Sequence, residues 1–139
     1  MVFETHSAQE TEALGARLAK ALDRGGVVAM FGGLGMGKTA FVRGMATGRG
    51  IDAEVSSPTF ALVQDYGGTP PLVHFDMYRI ETWDDLYATG FFEYIVMGAI
   101  LAVEWSEQIE NALPADAVRV TFERLSDTDR RIAIEGVDV

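Results

Sequence analysis

With 139 residues, 48 % of them hydrophobic, the chain has the size and apolar content for one core, which excludes global disorder and predicts a single domain over residues 1–139. The 11 Lys and Arg against 21 Asp and Glu give a net charge of −10, so most of the surface repels phosphate backbones and direct, dominant nucleic-acid binding is disfavoured. No cysteine is present and His6 and His74 are the only histidines, which excludes disulfides, thiol catalysis, thiolate metal sites and a structural zinc site made by histidines alone.

Glu4, Glu10 and Glu12 stand where a secretory signal needs a basic patch. The most apolar stretch, 95–103, is about half of a bilayer span, so the sequence predicts a soluble, cytoplasmic protein with no membrane role. Ser7-Ala8-Gln9-Glu10 has the form of a capping box, and Leu14, Leu18 and Leu22 recur behind it, predicting an amphipathic helix to about Asp23. Val27 to Phe31 is a continuous apolar run between glycines and reads as a strand buried on both faces. A Gly-rich loop follows, and from Lys38 the spacing of Phe41, Val42 and Met45 is helical, closed by Gly48 and Gly50. Phe60–Val63 and Leu72–Phe75 flank a turn-rich connector and predict an antiparallel hairpin. Thr82-Trp83-Asp84-Asp85 reads as the start of a short helix ended by Gly90. Ile100–Val103 is a second buried strand, and 118–122 and 131–135 alternate with period two as a C-terminal antiparallel pair.

Residues 32–39 read Gly-Gly-Leu-Gly-Met-Gly-Lys-Thr and fit G-x-x-x-x-G-K-[ST], with Gly32, Gly37, Lys38 and Thr39 at the fixed places. A shuffled chain of this composition would match about two or three times in a thousand. The loop also leaves a buried strand and opens a helix, so its backbone N–H groups and the helix dipole converge on one point, as a polyphosphate requires. Gly35 and Gly37 let the main chain bend around a β-phosphate, Lys38 supplies a charge between β- and γ-phosphates, and Thr39 is placed to hold Mg²⁺. Gly33, Leu34, Gly35, Met36, Gly37, Lys38, Thr39 and Ala40 are thus the candidate ATP-binding residues. Such a site also needs a carboxylate at the end of a buried strand. Glu104, after Ile100–Val103, is the candidate metal carboxylate, and Asp76, ending Leu72–Phe75, is the second candidate, for the metal or for the attacking water. His74 shares a strand face with Asp76 by period two and is a candidate to orient that carboxylate. Trp105, next after Glu104 on the strand, is expected on the opposite face, where an aromatic serves core or partner contact. Tyr78 and Arg79 are candidates to face a partner or to stabilise charge in hydrolysis, with an ion pair to one of the many nearby acids as the equal alternative for Arg79.

Beyond the loop, the order and spacing of Ser57-Pro58-Thr59-Phe60, His74-Phe75-Asp76-Met77-Tyr78-Arg79, Val103-Glu104-Trp105 and Arg130-Arg131-Ile132 resemble the TsaE (YjeE) family, small bacterial P-loop ATPases required for threonylcarbamoyladenosine formation in tRNA. The resemblance runs from the first helix to the last strand. It implies an α/β, three-layer P-loop NTPase-like fold with a mixed parallel and antiparallel sheet, with ATP and Mg²⁺ on the loop, Thr39 and Glu104 on the metal, and Asp76 needed for hydrolysis. It further implies catalysis by Asp76, Glu104 and Lys38, slow when the protein is alone, and two partners, TsaD and TsaB, which hold the tRNA while ATP hydrolysis resets their complex. Thr59 becomes a switch candidate that senses the γ-phosphate or its metal, and Ser7 and Arg130 or Arg131 become adenine-side candidates. The segment 94–99 is more apolar than the Gly-rich hairpin of many family members, so the resemblance carries no partner contact there. Two other readings stand beside it: a small-molecule P-loop kinase, which needs an acceptor pocket and usually an arginine-bearing lid, and a nucleotide-sensing module without hydrolysis. A GTPase is disfavoured because the only asparagine, Asn111, is not in N-K-x-D.

Overall fold

The computed structural model describes all residues except 34–35, 57 and 59–61. Its elements in chain order are β1 (Val2–Thr5), α1 (Ala8–Lys20), β2 (Gly26–Phe31), α2 (Lys38–Gly48), β3 (Val63–Asp65), β4 (Leu72–Asp76), α3 (Trp83–Ala88), α4 (Phe91–Val96), β5 (Ile100–Glu104), a 3-10 segment Ser106–Ala112, β6 (Val118–Arg124) and β7 (Arg130–Glu135). Among the described residues, seven strands form one sheet in the order β1-β7-β6-β2-β5-β4-β3. The four central strands β6, β2, β5 and β4 run parallel, and antiparallel pairing of β7, β1 and β3 finishes the two edges. The mixed α/β sheet expected from the sequence is therefore present.

Alternate residues of the central strands divide the core into two layers. Val28, Met30, Leu72, Ile100 and Ala102 pack with Leu14, Leu18, Phe41, Val42 and Met45 of α1 and α2. Val27, Val73, Phe75, Leu101 and Val103 pack with Leu86 and Phe91 of α3 and α4 and with Ile109. This two-sided burial is what a continuous apolar strand run encodes, and it makes the three layers. The α1–α2 contact is backbone to backbone: a Cβ on Gly15 would lie 2.1 Å from the Phe41 carbonyl oxygen, and one on Gly44 would lie 1.9 Å from that of Glu12. Only glycine permits this approach.

Several expectations shift. Ser7 Oγ accepts from Glu10 N at 3.1 Å, but the Glu10 carboxylate accepts from His6 N rather than from Ser7, so the predicted box is only half formed. α1 stops at Lys20, short of Asp23, because Ala21 N turns to the Leu18 carbonyl in a tighter final turn, while Leu22 remains buried. The first strand of the hairpin is placed at Val63–Asp65; 60–61 lie outside the described residues. α3 carries a full capping box between Thr82 and Asp85, and Gly90, at φ 83°, separates it from α4, an element the sequence reading did not contain. β1 was also unforeseen.

Candidate phosphate-loop site

The site lies at the carboxyl edge of the parallel strands, where crevices in open α/β sheets take their ligands. β2 runs out into the Gly-rich loop, β4 ends at Asp76 and β5 at Glu104, and Asp76 and Glu104 are direct partners in the β4–β5 register. Gly37 precedes α2 with φ 94°, a left-handed turn suited to glycine, so that the helix starts at Lys38 directly after the loop.

Lys38 is 4 % exposed. Its Nζ donates to the Gly32 carbonyl at 2.6 Å and lies 4.8 Å from the centroid of the Trp105 ring. Burial pushes its pKa below the usual lysine value, while the charges of Glu104, Glu107 and Asp76 act in the opposite direction. The Glu107 carboxylate also accepts from Gly32 N at 3.1 Å, bracing the first residue of the loop. Asp76 and Glu104 are 7 % and 5 % exposed, and the Asp76 carboxylate accepts from Tyr78 N at 2.9 Å. Two buried carboxylates and a cation at the start of one helix form a strongly charged, poorly hydrated cluster, in which each charge acts more strongly on a neighbouring ion than it would in water.

His74 differs from expectation. Its Nε2 donates to Glu104 Oε2 at 2.5 Å, across the strand pair, rather than to Asp76 on its own strand. Period two gives the face correctly, but the β4–β5 register, which sequence spacing does not encode, brings Glu104 onto that face. Trp105 also departs from the reading that set it on the opposite side of the strand. β5 ends at Glu104, and Trp105 takes φ 57° and ψ 44°, which turns its ring back over Lys38 and against Tyr78 at 4.9 Å between centroids. Arg79 is exposed beyond β4.

A second group converges beside the loop. His6, Ser7, Ala8 and Thr11 from the start of α1, Gly37 and Ala40 from the start of α2, and Asp127, Thr128 and Arg130 from the β6–β7 turn enclose a cavity of about 360 Å³. Ser7 and Arg130, far apart in sequence, thus line one cleft together with Gly37 and Ala40 at the start of α2. Gly33 is exposed, and Met36 and Thr39 are half-buried at the loop and helix start. Leu34, Gly35 and Thr59 lie outside the described residues. Sequence reasoning missed Tyr66, Thr11, Glu107 and the turn residues Asp127 and Thr128, because strand register and turn position bring them in without any motif of their own.

The donor set fits Mg²⁺. Mg²⁺ characteristically takes one or two carboxylates with phosphate oxygens and water. The buried oxygens of Glu104 and Asp76, with the Thr39 hydroxyl, match that requirement.

The sequence model of a family described as threonylcarbamoyl adenosine biosynthesis protein TsaE matches residues 5–132. The chain is similar to the tRNA threonylcarbamoyladenosine biosynthesis protein TsaE of Treponema pallidum, 36 % identical over 130 residues that cover 94 % of this chain and 96 % of the relative. It is equally similar to the protein of that name from Bacillus subtilis, 36 % identical over 136 residues, covering 97 % and 85 %. The crystal structure of Bacillus subtilis YdiB superposes with a TM-score of 0.76 at 33 % identity, covering 96 % of this chain and 83 % of that one.

Proposed function

The chain belongs to the TsaE family, and on that premise we propose that it is a Mg²⁺-dependent ATPase, one domain over its length, that serves threonylcarbamoyladenosine modification of tRNA. In this reading it acts in the cytoplasm as an accessory subunit of TsaD and TsaB, resetting their complex by hydrolysis and meeting tRNA only through them. The observation that carries the proposal is the buried charge cluster: Lys38 at the mouth of α2, with Asp76 and Glu104 on adjoining strand ends. Among the described residues no helix is long and apolar enough to cross a membrane. The net charge of −10 accords with a protein that leaves the tRNA to others.

The residues divide the work as follows. The loop amides and the α2 dipole bind the β-phosphate, and Lys38 turns from the Gly32 carbonyl to the β- and γ-oxygens. Thr39 and Glu104 would hold Mg²⁺, which supplies charge neutralisation on the β- and γ-phosphates. Asp76 orients the attacking water and takes up its proton as the bond to the β–γ bridging oxygen breaks, giving ADP and phosphate. The cleft between Ser7 and Arg130 receives the base and ribose side of the nucleotide.

Pull-down with TsaB–TsaD in ATP and in ADP tests the reading, with retention expected to depend on the nucleotide. Asp76→Ala and Glu104→Ala should each stall the modification cycle, with turnover lowered by about a hundredfold or more, while ATP binding partly survives. A cycle that runs normally with either variant would leave a nucleotide sensor, not an ATPase. Brisk hydrolysis indifferent to the partners would remove the accessory role.

A further inference from the structure

Behind Glu104 lies a hydrogen-bond chain, buried at its inner end, that the proposed reaction does not use. His74 has no exposed surface, and its two ring nitrogens are both engaged: Nε2 with Glu104 Oε2 at 2.5 Å and Nδ1 with the Tyr66 hydroxyl at 3.1 Å. Tyr66 follows β3 and packs its ring against the core beneath α1 and α2. Its hydroxyl also lies 2.7 Å from Gln64 Oε1 and 3.2 Å from the Ser56 carbonyl oxygen, next to the Ser-Pro-Thr-Phe segment. Burial holds the phenol pKa above its usual value, so the group keeps its proton under ordinary conditions.

We infer that Tyr66 is a positioning residue: through His74 its hydroxyl fixes the Glu104 carboxylate. The inference rests on the reading of Glu104 as the metal carboxylate. One hydroxyl proton cannot serve three neighbours at once. When it is donated to His74 Nδ1, the ring proton resides on Nε2, aimed at Glu104. That arrangement is the one that serves Glu104, because a neutral ring protonated on Nδ1 would present a bare Nε2 lone pair to the carboxylate. In it one Glu104 oxygen accepts from Nε2–H, and the carboxylate is held against rotation. Outer partners of this kind set the orientation of a ligand and the affinity of the metal behind it.

Tyr66→Phe keeps the ring and removes the junction. Calorimetric ATP titrations in Mg²⁺ and in EDTA, together with the downfield NMR signal of the His74 Nε2 proton, read the result. For Tyr66→Phe, affinity in EDTA should stay within about twofold of the parent, while the gain that Mg²⁺ confers falls by about three- to tenfold and the His74 signal shifts. His74→Gln should lose at least as much of the gain, and the double variant no more than His74→Gln alone, because the two act in series. An unchanged Mg²⁺ gain with an unshifted signal in Tyr66→Phe, or additive losses in the double variant, would overturn the relay and leave the ATPase reading standing. If the parent protein gains no ATP affinity from Mg²⁺, the reading of Glu104 falls and the relay falls with it.

Discussion

Replacing Gly44 by alanine probes the helix pair that carries the site. The new Cβ would stand 1.9 Å from the Glu12 carbonyl oxygen, where ordinary contact begins at 3.4 Å, so the two backbones must part by about 1.5 Å. Neither partner is a side chain that can rotate away. Overpacking of a tight core costs up to about 3 kcal/mol and about 3–4 kcal/mol where, as here, backbone must move, and the better helix propensity of alanine returns about 1 kcal/mol. We therefore expect a net loss of about 2–3 kcal/mol, which for a chain of this length lowers the thermal midpoint by roughly 7–10 °C. Because α1 brings Ser7 and Thr11 and α2 brings Gly37 and Ala40 to the same cleft, ATP affinity should fall as well. Calorimetric melting and ATP titration measure both effects. A Gly44→Ala protein that melts at or above the parent temperature would refute the backbone contact and the rigid seating of the cleft derived from it. Gly33→Ala, where a Cβ meets nothing within 4 Å, is the steric control and should melt with the parent.

Lys38→Ala should weaken ATP binding by about thirtyfold or more, since a phosphate in a poorly hydrated site loses a charged partner; an unchanged titration would remove Lys38 from the site. His6 Nδ1 stands 3.0 Å from Asp129 Oδ1, and the hydrogen bond to that carboxylate, then its charge, raises the histidine pKa above 6.5, with smaller help from Glu10 and Glu4. The pair's contribution is complete below the ordinary histidine value and fades as pH rises through the raised one. NMR titration should place His6 above about 6.5 and Asp129→Asn should return it toward that value; a His6 that titrates normally in the parent protein disproves the pair.

What could be read from the residues is what depends on local spacing. The run Val27–Phe31, the loop and the helix behind it are contiguous, so β2 and α2 were legible, as were β5 and the alternating β6–β7 pair. β1 was not, because four residues with one fully buried side chain give no period to detect, and α4 was hidden in an apolar stretch that also leads into β5. At the site, Asp76 and Glu104 could be placed at strand ends, but that β4 and β5 are neighbours in a register setting His74 on Glu104 is a tertiary fact. Trp105 was misplaced for a related reason: the period of two holds only while the strand lasts, and the chain reverses into a left-handed turn at that residue.

The cleft beside the loop takes part of its lining from residues 6–11 and part from residues 127–130. On the proposed reading, a nucleotide seated there would bridge two segments that lie far apart along the chain and meet through the pairing of β1 with β7 and of β6 with β7.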